Sequence, residues 1–171
     1  MRKAIIIIML GFGTVAKAQI PQPDPDTTAK HFLIVASIKN LQEVSAAELA
    51  SQQAKRTDVR SFGQMMLKDH GSAEQQLLQL AKKRRIDLPP AATGGVKPDL
   101  MLKNAGAKFD QMYVHAMVSG HNNTVQTFQN YAITGKDPEV KAFAQQMLPT
   151  LKHHLEEIKA IDEKLKMEAK R

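Results

Sequence analysis

The stretch VKAFAQQMLPTLKHHLEEIKAIDEKL, residues 140–165, decides the fold. Its apolar residues recur every third or fourth position: Val140, Ala144, Met147, Leu151, Ile158, Ile161 and Leu165. That spacing draws one continuous stripe along a helix, because 3.6 residues make a turn. One position on the stripe, His154, is polar, whereas its neighbour His153 falls on the opposite, solvated side. The reading is a long amphipathic helix with a single histidine at mid-length of its buried face.

Working outward, the same pattern returns twice. Residues 58–85 carry Val59, Phe62, Met66, Ala73, Leu77 and Leu80 on one face, with His70 at the centre. Residues 107–134 carry Val114, Val118, Val125, Phe128 and Ala132, with His121 at the centre. Residues 28–55 form a further helix that is apolar over a wide arc. Its inward carboxylate is either Glu43 or Glu48, and the small residues Ser45, Ala46, Ala47, Ala50 and Ala54 permit a close neighbour.

The boundaries carry stop and start chemistry. Thr57 suits the N-cap of the second helix after a connection of a few residues, which makes the first two helices antiparallel neighbours. Gly135 suits the position just past a helix, Asp137 an N-cap, and Pro138 a first turn. Pro149 lies inside the last helix and removes one of its hydrogen bonds. The connection 86–106 is rich in Pro and Gly, and a short helix is expected near 98–105 after Pro98. The fold class is all-α, a four-helix bundle with long helices over 28–55, 58–85, 107–134 and 138–168. The 86–106 connection leaves it open whether the chain turns back locally or crosses the bundle.

Composition agrees. The 171 residues contain no Cys and no Trp, and the charged residues are mixed in sign. A core of this size needs no disulfide. Residues 1–18 read as a cleaved signal peptide: Arg2 and Lys3, an apolar run over 4–15, then Ala16-Lys17-Ala18. The run is too short to span a bilayer. Residues 19–28 read as a Pro-punctuated leader and 29–171 as the bundle domain. The expected location is exported, periplasmic and soluble after cleavage following Ala18. Loss of Arg2, Lys3 and Lys17 brings the formal charge from +7 to +4, which gives nucleic-acid binding little motive.

The estimated midpoints of the four helices fall at roughly residues 42, 71, 121 and 153, and one residue is ~1.5 Å of axis. Glu43, His70, His121 and His154 therefore meet at one level of a bundle, whichever way the third helix runs. Three imidazoles and a carboxylate at one point form a ligand set for a transition metal such as zinc, copper or iron. Asp69 and Asp110 are candidates for orienting hydrogen bonds, and Met66 and Met117 for soft donors. The alternative is a purely structural His/Glu network inside a non-catalytic envelope-stress or interaction module. An enzyme reading has least support, because no nucleophile motif, phosphate loop or cofactor fingerprint is present.

Five segments together resemble a known family: NLQEVSAAELA (40–50), VRSFGQMMLKDH (59–70), IDLPP (86–90), FDQMYVHAMVSGH (109–121) and DPEVKAFAQQMLPTLKHHLE (137–156). They look like the motifs of the "domain of unknown function 4142" family, over about residues 29–164. The resemblance implies an exported bacterial protein with a ferritin-like helical bundle. It places that family's polar positions on Glu43, Asp69, His70, His121 and His154, and so favours Glu43 over Glu48. The sequence has no Glu-x-x-His, the spacing that di-iron bundles use. It also lacks the barrel alternation and the lipid-attachment Cys that the family's frequent outer-membrane label would need.

Overall fold

The computed structural model describes residues 26–94 and 96–170, with side chains from Ala29 onward. The expected signal peptide and most of the leader lie outside the described residues. Helix α1 spans Asp26–Gln53, α2 Thr57–Lys83, α3 Leu100–Lys103, α4 Phe109–Thr134 and α5 Pro138–Glu168. Two 3₁₀ turns, Pro90–Ala92 and Gly106–Lys108, punctuate the connection between α2 and α4. The described residues contain no strand. The four long helices lie within two or three residues of the expected limits, and the short helix falls inside the expected window.

The helices pair as two hairpins, α1 with α2 and α4 with α5, and these make the most extensive contacts. Thinner seams, α1 against α4 and α2 against α5, join the hairpins. Arg84, just past α2, bonds Asp137 at the head of α5 at 2.7 and 2.8 Å. At the other end Arg56, in the α1–α2 turn, pairs with Asp58 and with Glu168 at the tail of α5. Asp110 at the head of α4 reaches the same turn. Helices α2 and α4 therefore run in the same direction, and residues 84–108 climb the length of the bundle between them. The topology left open by the sequence is up-down-down-up with one long crossover.

Local chemistry sets each boundary. Asp137 accepts hydrogen bonds from the backbone N–H groups of Glu139 and Val140, both at 3.0 Å, with Pro138 in the first turn, as expected. Asp99 caps α3 in the same way, from Met101 and Leu102. Three expectations need correction. Thr57 is not the cap of α2: it is the first helical residue, and Arg56 precedes it with no side-chain cap bond. The N–H groups of Lys55 and Arg56 are instead taken by the two oxygens of Asp110, at 3.1 and 2.9 Å. Gly135 is not left-handed, with φ −57 and ψ 135. Glycine is required there by crowding, since a Cβ would lie 2.5 Å from the Tyr131 carbonyl oxygen and 2.6 Å from its ring. Finally, the first helix starts at Asp26, two residues ahead of its expected start at 28.

The core is divided. One apolar cluster, including Phe32, Leu33, Leu77, Phe128, Val140 and Phe143, fills the half of the bundle near the α4–α5 turn. A second, including Val59, Phe62, Met66, Phe109, Tyr113 and Ile158, fills the half near the α1–α2 turn. Glu43, His70, His121 and His154 belong to neither cluster and are all buried. They form a polar layer between the two.

Candidate metal centre

Each histidine of this layer comes from a different helix, His70 from α2, His121 from α4 and His154 from α5. The 3–4 spacing that buries each stripe also turns its one imidazole inward. The three rings form a nearly equilateral triangle, with centroids 5.8, 5.4 and 5.6 Å apart. Phe62, one side of the layer, sets its ring edge-on to both His121 and His154 at 6.3 Å. Exposure is 3% for His70 and zero for His121 and His154.

The outer nitrogen of each ring is held by an oxygen that can only accept. His70 Nδ1 lies 2.8 Å from Asn40 Oδ1. The amide is fixed that way round because Asn40 Nδ2 donates to the His70 carbonyl and to Glu74 Oε2, both at 3.0 Å. His121 Nδ1 lies 3.1 Å from the Met117 carbonyl oxygen. His154 Nε2 lies 3.0 Å from Asp69 Oδ2. A neutral imidazole has one N–H, so these three acceptors fix the proton on the outer nitrogen. The lone pairs are left on His70 Nε2, His121 Nε2 and His154 Nδ1, none of which makes a hydrogen bond. One ring nitrogen from each histidine lies within 4.8 Å of the others.

Glu43 completes the layer from α1. Its Oε1 accepts from Thr124 Oγ1 at 3.3 Å. Its Oε2 makes no hydrogen bond and stands 3.3 Å from His70 Nε2 and 3.8 Å from His121 Nε2. Burial pushes the Glu43 carboxyl up to about 7. Burial likewise drives His70 down to about 3 and His121 to about 4, and it lowers His154. Desolvation disfavours whichever form is charged. At neutral pH the three rings are therefore uncharged, the state in which imidazole binds metal.

The remaining expected residues divide. Glu43 faces the centre while Glu48 is exposed. Asp69 orients His154. Asp110 serves the α1–α2 turn and not the histidines. Met66 is buried in the second apolar cluster, and Met117 is the residue whose carbonyl holds His121. Asn40 and Thr124 were not among the expected residues. Asn40 shares one face of α1 with Ala36, Glu43 and Ala47, so a second polar position on an apolar stripe was the available signal.

Two routes of space meet at Glu43. Toward the α4–α5 end lies a chamber of about 10 Å³, lined by Asn40, Glu43, His70, Thr124 and apolar side chains. Toward solvent lies a cleft of about 440 Å³ between α1, α4 and the crossover segment, with Glu43, Met117, Gly120 and Thr124 on its walls. No described helix is long and apolar enough to cross a membrane.

In three-dimensional comparison the chain is similar to a structure described as CopM in the Cu(I)-bound form. The TM-score is 0.67 at 14% identity, over 80% of this chain and 96% of that one. It is equally similar to a DUF305 fragment from Deinococcus radiodurans, with TM-score 0.67 at 15% identity, over 84% and 99% of the two chains. At these identities the likeness shows a shared helical fold. No curated protein matches the sequence. The sequence profile of the domain of unknown function DUF4142 matches residues 14–161, and the chain belongs to that family.

Proposed function

We propose that the polar layer binds one transition-metal ion through His70 Nε2, His121 Nε2 and His154 Nδ1, and that the ion is Cu(I). The observation that carries this reading is the convergence of three lone pairs, each set by an acceptor on the far side of its ring. Three lone pairs facing one another repel, and a buried polar group without a partner costs roughly 1–3 kcal/mol. A cation relieves all three at once. Bonds of ~2.0 Å require each nitrogen to move inward by roughly 0.7 Å from a 4.8 Å triangle.

Charge favours the monovalent ion. Three neutral imidazoles, Cu(I) and an ionised Glu43 sum to zero, whereas a divalent ion leaves a net positive charge in the core. Burying charge without compensation is costly. Closed zinc sites take four ligands, which here requires Glu43 as the fourth. The neighbour described as Cu(I)-bound adds support, since a chain of this fold holds that ion. The apolar run before Ala18 supports an exported protein, in which such a site serves to sequester or deliver copper.

The test is metal binding by the untagged chain under reducing, oxygen-free conditions. One Cu(I) per chain, bound more tightly than zinc, with His70→Ala, His121→Ala and His154→Ala each losing it, is the expected result. The competing reading is a structural network, which Glu43 favours by standing 3.3 Å from His70 Nε2 with a carboxyl that holds its proton near neutrality. It predicts no metal stoichiometry, and a His121→Leu variant as stable as the parent.

A further inference from the structure

The cleft between α1 and α4 leads from solvent to the polar layer, and Glu43 stands where it ends. Glu43 is 6% exposed, yet it lines both this cleft and the inner chamber. Its Oε2 has no hydrogen bond and faces two of the three free imidazole nitrogens. The cleft wall is open at one point because position 120 has no side chain. A Cβ built on Gly120 would meet a single atom within 4 Å, Glu43 Oε1, at 3.6 Å. A glycine in the middle of a 26-residue helix is unfavourable by about 1 kcal/mol relative to alanine, and neither a turn nor a positive φ calls for it here. Met117, one turn before His121, adds a thioether donor to the same wall. The outer wall carries Lys39 and Lys97 against Asp99, with Glu43 at the inner end.

We propose that the α1/α4 cleft is the port through which the ion reaches the histidines, with Glu43 as the ligand that hands it over and Gly120 as the gap that keeps the port open. This rests on the metal reading above. In this arrangement Glu43 acts on passage as well as on charge balance, and the three histidines supply the bonds that hold the ion.

The test follows Cu(I) transfer from its bicinchoninate complex to the full chain by loss of colour, and the return transfer to excess chelator. Gly120→Leu fills the gap, and Gly120→Ala controls for helix propensity. Ala116→Phe narrows the same wall from an exposed position one turn earlier, so it reads the port even where Gly120→Leu disturbs packing. The expected result is that Gly120→Leu and Ala116→Phe slow uptake and release together by tenfold or more, with Kd within about twofold of the parent. Glu43→Gln is expected to slow uptake and also to weaken Kd, since the ion's charge is then no longer offset, so the two blocking variants alone carry the test of the port. Unchanged rates in the two blocking variants, with full metal content, would place the port elsewhere and leave the histidine site standing. A slower uptake with unchanged release, hence a weaker Kd, would make Gly120 part of the site's packing and overturn the port. A parent protein that takes up no copper overturns both readings.

Discussion

Asn40 decides which nitrogen of His70 is free. Its amide oxygen accepts from the Nδ1–H, and its amide nitrogen donates to the His70 carbonyl and Glu74. Asn40→Ala leaves the ring free to rotate and to change tautomer. The expected outcome is a Cu(I) affinity lower by roughly 10–100-fold with all three ligands still in place, measured by competition with a chelator. Acidity acts on the same residues. In the metal-free protein His70 and His121 titrate at about 3 and about 4, against 6.5 for an ordinary imidazole. Between those values the unfolded chain binds protons that the folded chain does not, so stability is present above pH 6.5 and is lost as pH falls toward 4. Glu43, raised from 4.5 to about 7, works the other way: its contribution is full below 4.5 and is lost as pH rises through 7. The three depressed imidazoles outweigh one raised carboxyl. Metal-free protein is therefore expected to lose on the order of 3 kcal/mol between pH 6.5 and 4, read by denaturant titration at each pH. A flat profile would mean that the rings are not held uncharged. The three histidines were legible in the sequence because each interrupts an apolar stripe. Asn40 interrupts a stripe too, but its role was not legible, because that role lies in a partner 30 residues away.

Helix ends show a similar division. Asp137 and Pro138 announced the start of α5 through local chemistry alone. The basic run Lys82, Lys83, Arg84, Arg85 marks the end of α2 but not its conformation. Arg85 occupies the left-handed region at φ 53, where glycine is usual. The Ile86 N–H reaches back to the Ala81 carbonyl and the Arg85 N–H to that of Lys82, while Ile86 and Ala81 are both buried in one cluster. Long-range burial of Ile86 thus imposes a conformation that local sequence disfavours. Arg85→Gly is expected to stabilise the protein by about 0.5–1 kcal/mol, raising Tm, since relief of left-handed strain exceeds the added freedom of the unfolded chain. The opposite sign is expected where α1 meets α2. The small residues Ala47, Ala50 and Ala54 were visible in the sequence, but their partner Gly63 was not. A Cβ on Gly63 would lie 2.8 Å from that of Ala50, which has no freedom to move aside. Gly63→Val is expected to destabilise by roughly 2–3 kcal/mol in chemical denaturation, despite removing a mid-helix glycine.

At the level of the bundle, helix count, lengths and the shared height of four polar residues followed from periodicity, because period and midpoint are local properties. The direction of α4 did not. It depends on Asp110 meeting the α1–α2 turn and Arg84 meeting Asp137, pairings between residues more than fifty positions apart. The resulting topology puts one of the proposed ligands, His70, on the first hairpin and two, His121 and His154, on the second. The seams between hairpins are thin, so an ion at the layer would cross-link the two halves where direct packing is least extensive. A ligand that binds only the folded state stabilises it by RT ln(1 + [L]/Kd), about 4 kcal/mol at a thousandfold excess over Kd. For a domain of this size that corresponds to a rise in Tm of roughly 10 °C. Cu(I) is expected to give this rise in the parent, a Cu(I) chelator to reverse it, and His121→Leu to abolish it while the bundle still folds, because a buried polar group is often replaceable by an apolar one. Backbone amides of α2, α4 and α5 beside the layer should gain hydrogen-exchange protection on metal addition, whereas the α1–α2 turn, held by Asp110, should not. An equal rise in Tm for parent and His121→Leu would place the stabilising ion outside the layer.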